Sequence, residues 1–321
     1  MYKSKLSMKD TQKAIKIVKD NFERKLAETF NLDRVSAPII VPSKEGINDD
    51  LGIKDSALSF YVETLNKNVE IVQSLAKWKR MALKKYGYHV YEGLYTDMNA
   101  IRAKDEVDQT HSLYVDQWDW ELIINKSDRN IDFLKRVVNK IVKAIKETKT
   151  LIQSFYNVLT DEIKEEVFYI SGQELIKMYP NLNVKQREYE ITKLHKTVFI
   201  TQIGPHYDLR APDYDDWHLN GDLLIWSDVI NDAIELSSMG IRVNKESLLI
   251  QMEESNRLDE INAKYYQQII NNELPLTIGG GIGQSRLCMV LLEKLHIAEV
   301  QASIWSEKEL NFFKENKIEY L

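Results

Sequence analysis

Apolar side chains at Ile15, Val18, Phe22 and Leu26 recur at helical spacing, with Lys and Glu between them. They predict an amphipathic helix near the start of the chain, with Thr11 as its N-cap. Residues 31–34 read as a turn and 35–41 as a β-rich stretch interrupted by Pro38. Proline cannot donate a ladder hydrogen bond, which assigns that stretch to a sheet edge or an interface. Residues 42–56 read as loop, carrying Pro42, Gly46, Gly52 and the acidic pair Asp49 and Asp50. A short strand is expected over 69–73, then a helix capped by Ser74 with Leu75, Trp78 and Ala82 on one face.

Residues 89–91 look β-like and lead into a charged loop around 102–108. From 111 to 121 the chain alternates: Gln117, Asp119 and Glu121 share one face with His111, Leu113 and Val115, while Tyr114, Trp118 and Trp120 take the other. The stripe Ile131, Leu134, Val138, Ile141 and Ile145 predicts a long helix over 127–157. Shorter helices are expected over 175–179 and 184–195, and a strand over 198–203. Several strands follow one another directly, with no internal repeat and no Pro/Gly/Ser linker. The pattern fits an α+β chain, a mixed and mainly antiparallel sheet flanked by helices in one domain over 1–321, better than a doubly wound parallel sheet.

Composition narrows the class. Of 321 residues, 44% are hydrophobic, which suits a packed globular core. The 43 basic and 49 acidic residues leave a net charge of −6, which argues against a nucleic-acid partner held by a broad basic face. Cys288 is the one cysteine, so a disulfide scaffold and a Cys-based zinc site are excluded. No apolar run approaches the ~18 residues of a membrane helix, and the start lacks the apolar stretch of a signal peptide. A cytoplasmic enzyme with no membrane partner is the expectation.

Four places carry candidate chemistry. The string TIGGGIGQSR over 277–286 places glycines before an amphipathic helix and an arginine just inside it, an arrangement that cradles anions. It is neither a P-loop nor a dinucleotide fingerprint, and alone it fits a plain strand-to-helix turn equally well. Gln117 and Asp119 could hold a ligand ammonium, although a half-solvated face is the commoner meaning of such a strand. Asp213, Asp215 and Asp216 sit beside Tyr214 and Trp217, and like charges there should raise a pKa; a solvated acidic turn is the bland alternative. Asp222 and Glu235 lie in otherwise apolar strands and need a partner, for which Mg²⁺ with phosphate oxygens is typical. The six histidines show no metal-ligand spacing.

The order of these pieces is more telling than any one. An arginine-bearing loop between strands, carboxylate-bearing strands and a Gly-rich segment ending in Arg286 resemble motifs 2 and 3 of class II aminoacyl-tRNA synthetases; residues 30–40 resemble motif 1, which forms dimers. More closely, the strings SLAKWKR (74–80), EGLYT (92–96), YVDQWDWE (114–121), RAPDYDDW (210–217), LSSMGIR (236–242) and GGGIGQSR (279–286) resemble ammonia-dependent asparagine synthetases, the aspartate–ammonia ligases. The resemblance runs through nearly the whole chain in order. Two segments, near 204–206 and after Trp217, are shorter than that family's pattern, which bears on closure over an intermediate.

The resemblance implies a class II fold and a two-step reaction, in which L-aspartate and ATP give β-aspartyl-AMP and ammonia then gives asparagine. It implies that Arg102 grips the α-phosphate and Arg286 the γ-phosphate, with Asp222 and Glu235 holding Mg²⁺. His111, Ser112, Gly281 and Gly283 complete the nucleotide site. Ser112 is of opposite strand parity to Gln117, so a bulge or a backbone role is expected there. Lys79 and Arg242 match carboxylate contacts for aspartate, with Ser74, Asp49, Gln117, Asp119, Asp215 and Ser238 around the amino group and reacting end. Asp50 could stand in for Asp49, and either Asp49 or Asp215 could be the base that deprotonates ammonium. Residue 2 is Tyr and Cys288 lies inside a helix, so free ammonia rather than glutamine is the expected donor. A homodimer is also implied. Two rivals remain: an aspartate-adenylating relative with another acceptor, and a non-catalytic amino-acid sensor.

Overall fold

A computed structural model describes residues 2–43, 45–49, 51 and 56–321; Gly52 and Asp50, the alternative to Asp49, lie outside them. The chain opens with α1 (Met8–Phe30), β1 (Leu32–Arg34), β2 (Ile40–Pro42), β3 (Ser59–Val62), β4 (Lys67–Ile71) and α2 (Ala76–Tyr86). Next come β5 (Gly93–Ile101), β6 (Tyr114–Ile123), α3 (Ile131–Phe155), β7 (Phe168–Ser171), α4 (Gly172–Met178) and α5 (Val184–His195). The remainder is β8 (Thr197–Thr201), β9 (Asp215–Ser227), β10 (Asp232–Arg242), α6 (Lys245–Glu254), α7 (Lys264–Ile270), β11 (Thr277–Gly283), α8 (Gln284–Leu291) and α9 (Glu307–Asn316).

An eight-stranded sheet runs in the order β1-β5-β6-β11-β10-β9-β8-β7, and a small sheet runs β2-β4-β3. Only the outermost pairs of the large sheet, β1 with β5 and β7 with β8, are parallel; the pairs between are antiparallel. This is the α+β, mainly antiparallel architecture expected of the sequence, and no helix among the described residues is long and apolar enough to cross a membrane.

One face of the large sheet is dry. α1 and α3 lay Val18, Phe22, Leu26, Val138 and Ile141 on it, with Phe22 against Trp118 at 4.9 Å and Phe30 stacked on Trp120 at 5.3 Å between ring centroids. Burying such side chains contributes roughly 1.5–3 kcal/mol each, so this layer anchors the sheet. The opposite face carries α2 and the loops around the site.

Local boundaries differ from the sequence expectation for identifiable reasons. α1 starts a turn earlier, because Ser7 accepts from the Asp10 amide at 3.1 Å; Thr11 is inside the helix, its hydroxyl taken by Lys294 at 2.8 Å. Residues 35–41 are not one strand: β1 ends at Arg34 and β2 begins at Ile40, with Pro38 unable to pair between them. Leu75 is the first cap of α2, and Ser74 accepts only from the Ala76 amide at 3.2 Å. The strand expected at 89–91 forms instead as β5, from Gly93. Through Trp217 and Leu219 the chain stays in one strand, β9, and near Gly204 a tight turn closes on amides of Tyr207 and Asp208.

Candidate active site

Register builds the floor. Asp119 on β6 lies opposite Gly281 on β11, Gly281 opposite Ser238 on β10, and Ser238 opposite Asp222 on β9. Residues in register share a face, so this row points to the side away from the tryptophans. The Gly-rich segment, expected as a turn, is the central strand β11 itself, and the turn begins only at Gly283. A Cβ at Gly281 would overlap the Gln117 carboxamide, and one at Gly279 would overlap Glu121 and Arg242. The glycines thus empty a trough between neighbouring strands that carry long polar side chains.

A bulge completes the row. Glu235 pairs with Leu224 and Ser237 with Leu223, so Leu236 is an extra residue on β10. Without it, Glu235 and Ser238 would point to opposite faces; with it, both join Asp222 on the site side.

At one end of the trough lies a buried charge array. Arg242 donates from Nε at 3.0 Å and Nη2 at 2.7 Å to Glu121, and from Nη1 at 2.5 Å to Asp215. Lys79 on α2 bonds the Asp119 carboxylate and the Trp120 carbonyl at 2.7 Å, with Glu121 3.6 Å away. Desolvation opposes ionisation of Glu121, yet Arg242 and Lys79 hold its carboxyl below the usual range. For Asp215 the balance reverses: burial pushes its carboxyl up despite Arg242.

At the other end are cations. Arg286, at the head of α8, donates to the Thr110 carbonyl at 3.2 Å and the Glu235 carbonyl at 2.9 Å. Arg102 reaches the Gln73 carbonyl at 3.2 Å. Desolvation would raise the Glu235 carboxyl, but Arg286, Arg210 and His111 hold it low. Arg210 pairs with Asp222 and donates to Ser238 at 3.2 Å. Burial pushes the Asp222 carboxyl up to about 7, Glu235 adding to the effect of burial and Arg210 opposing it. His111 contacts Asp108 at 2.9 Å, and the Ser112 hydroxyl meets Gln301 and the Tyr114 carbonyl. Ser112 precedes β6, so strand parity never applied to it, and no bulge is needed.

These groups surround one cleft of about 340 Å³. Asp49, Ser74, Arg102, His111, Ser112, Gln117, Asp119, Asp215, Glu235, Ser238, Arg242, Gly281, Gly283 and Arg286 all line it. Two predicted residues stand behind the wall instead. Lys79 is fully buried beneath Asp119, and Asp222 is screened by Arg210. Glu121, Arg210, Tyr214 and Gln301 were not singled out by the sequence, and each touches or supports the site. Glu121 had a legible signal in its shared parity with Gln117 and Asp119, and Arg210 and Tyr214 stand in the acidic string over 210–217; Gln301 had none.

A mainly antiparallel sheet with an arginine after one strand and another heading the helix beyond the last strand defines the catalytic frame of class II aminoacyl-tRNA synthetases. Solved structures agree: asparaginyl-tRNA synthetase from Pyrococcus horikoshii, complexed with asparaginyl-adenylate, superposes with a TM-score of 0.70 at 16% identity, over 92% of this chain and 70% of that one. The Entamoeba histolytica asparaginyl-tRNA synthetase gives 0.67 at 16% identity, over 91% and 67%. With that fold, the chain belongs to the aspartate–ammonia ligase family, whose family model matches residues 9–317. It is 53% identical over 321 residues to the aspartate–ammonia ligase of Clostridium tetani, covering 98% of this chain and 94% of that protein. With the Ureaplasma parvum aspartate–ammonia ligase it shares 52% over 308 residues, 94% of each chain.

Proposed function

We propose that this chain, acting in the cytoplasm as one catalytic domain, makes L-asparagine from L-aspartate, ATP and ammonia through β-aspartyl-AMP. The aspartate β-carboxylate attacks the α-phosphorus and pyrophosphate leaves; ammonia then attacks the acyl carbon, a proton is lost and AMP leaves. The observation that carries the reading is that Arg102 and Arg286 line the same cleft as Gln117, Asp119 and Arg242. Cations at one end match polyphosphate, and the charge array at the other matches an amino acid with two carboxylates. The Pyrococcus horikoshii enzyme, of the same fold, is complexed with an aminoacyl-adenylate, the same kind of mixed anhydride.

In this reading Asp119 and Gln117 take the α-ammonium and Arg242 a substrate carboxylate, while Lys79 holds Asp119 in place from below. Arg102 and Arg286 offset the charge that develops on the phosphates. Asp222 and Glu235 fit a Mg²⁺ ion: the Glu235 charge adds to burial in disfavouring an ionised Asp222, and Asp222 Oδ1 is buried without a hydrogen bond. Such an ion supplies charge neutralisation for the phosphates. Burial pushes the Cys288 thiol up to about 12, which leaves it no role as a glutamine-cleaving nucleophile and supports free ammonia as donor. Ile39, Phe60 and Tyr61 leave apolar surface exposed on and beside the small sheet, which supports a homodimer through the motif-1 region; a monomer by light scattering at micromolar concentration would remove that part.

The test is pyrophosphate release from Mg·ATP and L-aspartate, with and without ammonium, scoring AMP and asparagine. Ammonium-dependent asparagine with equal AMP is expected. Aspartate-dependent ATP–pyrophosphate exchange without asparagine would move the acceptor elsewhere, and no turnover would overturn the reading.

A further inference from the structure

Lys77 is 3% exposed and lies two residues before Lys79 on α2, yet it lines no part of the cleft. Its ammonium sits 2.5 Å from Asp213 and donates to the Asn48 carbonyl at 3.3 Å. Tyr266 on α7 donates to the same Asp213 carboxylate at 2.6 Å, and its ring centroid is 5.7 Å from Lys77 Nζ. Burial disfavours the Lys77 charge, but Asp213 raises its pKa above the ordinary lysine value, so the pair is ionised. A buried ion pair contributes little to stability compared with apolar residues of the same shape, so its presence here calls for another reason.

The reason lies in what the pair connects. Asn48 is adjacent to Asp49; Asp213 is adjacent to Tyr214 and two residues from Asp215. Asp49, Tyr214 and Asp215 all line the cleft; Asp49 and Tyr214 lie in loops, Asp215 opens β9, and the segment holding Asp49 has no strand pairing with the one holding Asp213 to Asp215. Gln73 ties the first segment further, donating to the Asp49 carbonyl at 3.0 Å. α2 therefore acts on the site twice: Lys79 fixes the floor through Asp119, and Lys77 fixes the walls through Asn48 and Asp213. We propose that Lys77 is a positioning residue that sets the aspartate-facing wall of the cleft by clamping the Asn48–Asp49 and Asp213–Asp215 segments to α2. Of the phosphate-facing arginines, Arg286 bonds the Thr110 and Glu235 carbonyls, and Arg102 bonds the Gln73 carbonyl, one residue removed from Lys77, Asn48 and Asp213. The proposal rests on the reading of that wall as the aspartate site.

The test compares wild type, Lys77→Met, and the double variant Lys77→Met/Asp213→Asn by thermal melting, by isothermal titration with L-aspartate and by the KM values for aspartate and ATP. Lys77→Met alone leaves a buried carboxylate unpaired and should lower Tm. The double variant removes both charges and should recover most of that loss, while its aspartate KM stays raised about tenfold or more and its ATP KM changes less than about twofold. A double variant with wild-type aspartate KM, or one in which both KM values rise together, overturns the proposal. If the double variant does not fold, Tyr266→Phe, which deletes one bond to Asp213, carries the test with an expected rise of about threefold in aspartate KM; no rise overturns it. Wild type that binds no aspartate by titration overturns the function reading and this inference with it.

Discussion

Arg242 holds Glu121 through two of its nitrogens, Nε at 3.0 Å and Nη2 at 2.7 Å, and both side chains are buried. Only Nη1 remains, and it lies on Asp215. Glu121 thereby orients Arg242; a fork held on one edge presents the other in a fixed direction.

Glu121→Gln should be costly on both counts. It leaves Arg242 and Lys79 short of a counter-charge inside the protein, which destabilises by about 3–5 kcal/mol. Aspartate KM should rise with ATP KM nearly unchanged, as steady-state kinetics at saturating co-substrate will show.

The two carboxylates on Arg242 should give opposite pH signatures. Glu121 titrates below its ordinary value when folded, so its contribution is present above the unfolded value and lost as pH falls through the folded one. Asp215 titrates above its ordinary value, so ionising it opposes folding, and that penalty sets in as pH rises past the unfolded value. Melting curves at about pH 8 and about pH 4 should show Glu121→Gln losing more Tm, relative to wild type, at the higher pH. Asp215→Asn should compare more favourably with wild type at the higher pH than at the lower.

Arg286→Gln should separate nucleotide from amino acid. Among the described residues the guanidinium meets the Thr110 and Glu235 carbonyls and, at 3.9 Å, the Glu235 carboxylate, so its removal should leave the fold intact. Loss of a preorganised cation on the phosphates should lower kcat for pyrophosphate release by roughly 10²–10³-fold. Titration with aspartate alone should be unchanged.

Gly281→Ala tests the trough. Its added methyl would meet the Gln117 carboxamide, which must swing away. Overpacking of this kind costs about 1–3 kcal/mol, and the displaced amide should raise aspartate KM on the order of tenfold. A variant crystal structure with Gln117 unmoved and normal kinetics would contradict it.

Of the two candidate bases, Asp215 faces the cleft with a carboxyl that burial raises. Asp215→Asn should slow the ammonia step more than adenylate formation, read as asparagine production against ATP–pyrophosphate exchange. Equal loss in both would assign it to binding alone.

Periodicity is local, and what depends on it was legible in the chain: the helices around Phe22 and Ile141, the tryptophan face of β6, and the opposite face bearing Gln117, Asp119 and Glu121. The resemblance also placed most cleft residues, because those side chains stand in contiguous strings. Glycine carries no side-chain alternation, so nothing in the string over 277–283 marked it as a central strand until its neighbours on β6 and β10 were paired to it. The bulge at Leu236, the covering of Asp222 by Arg210 and the burial of Lys77 and Lys79 are likewise results of register and packing between distant segments. A charged residue reads as surface in one dimension. Whether it faces water, substrate or a buried partner is decided only when the partner, tens or hundreds of residues away, arrives beside it.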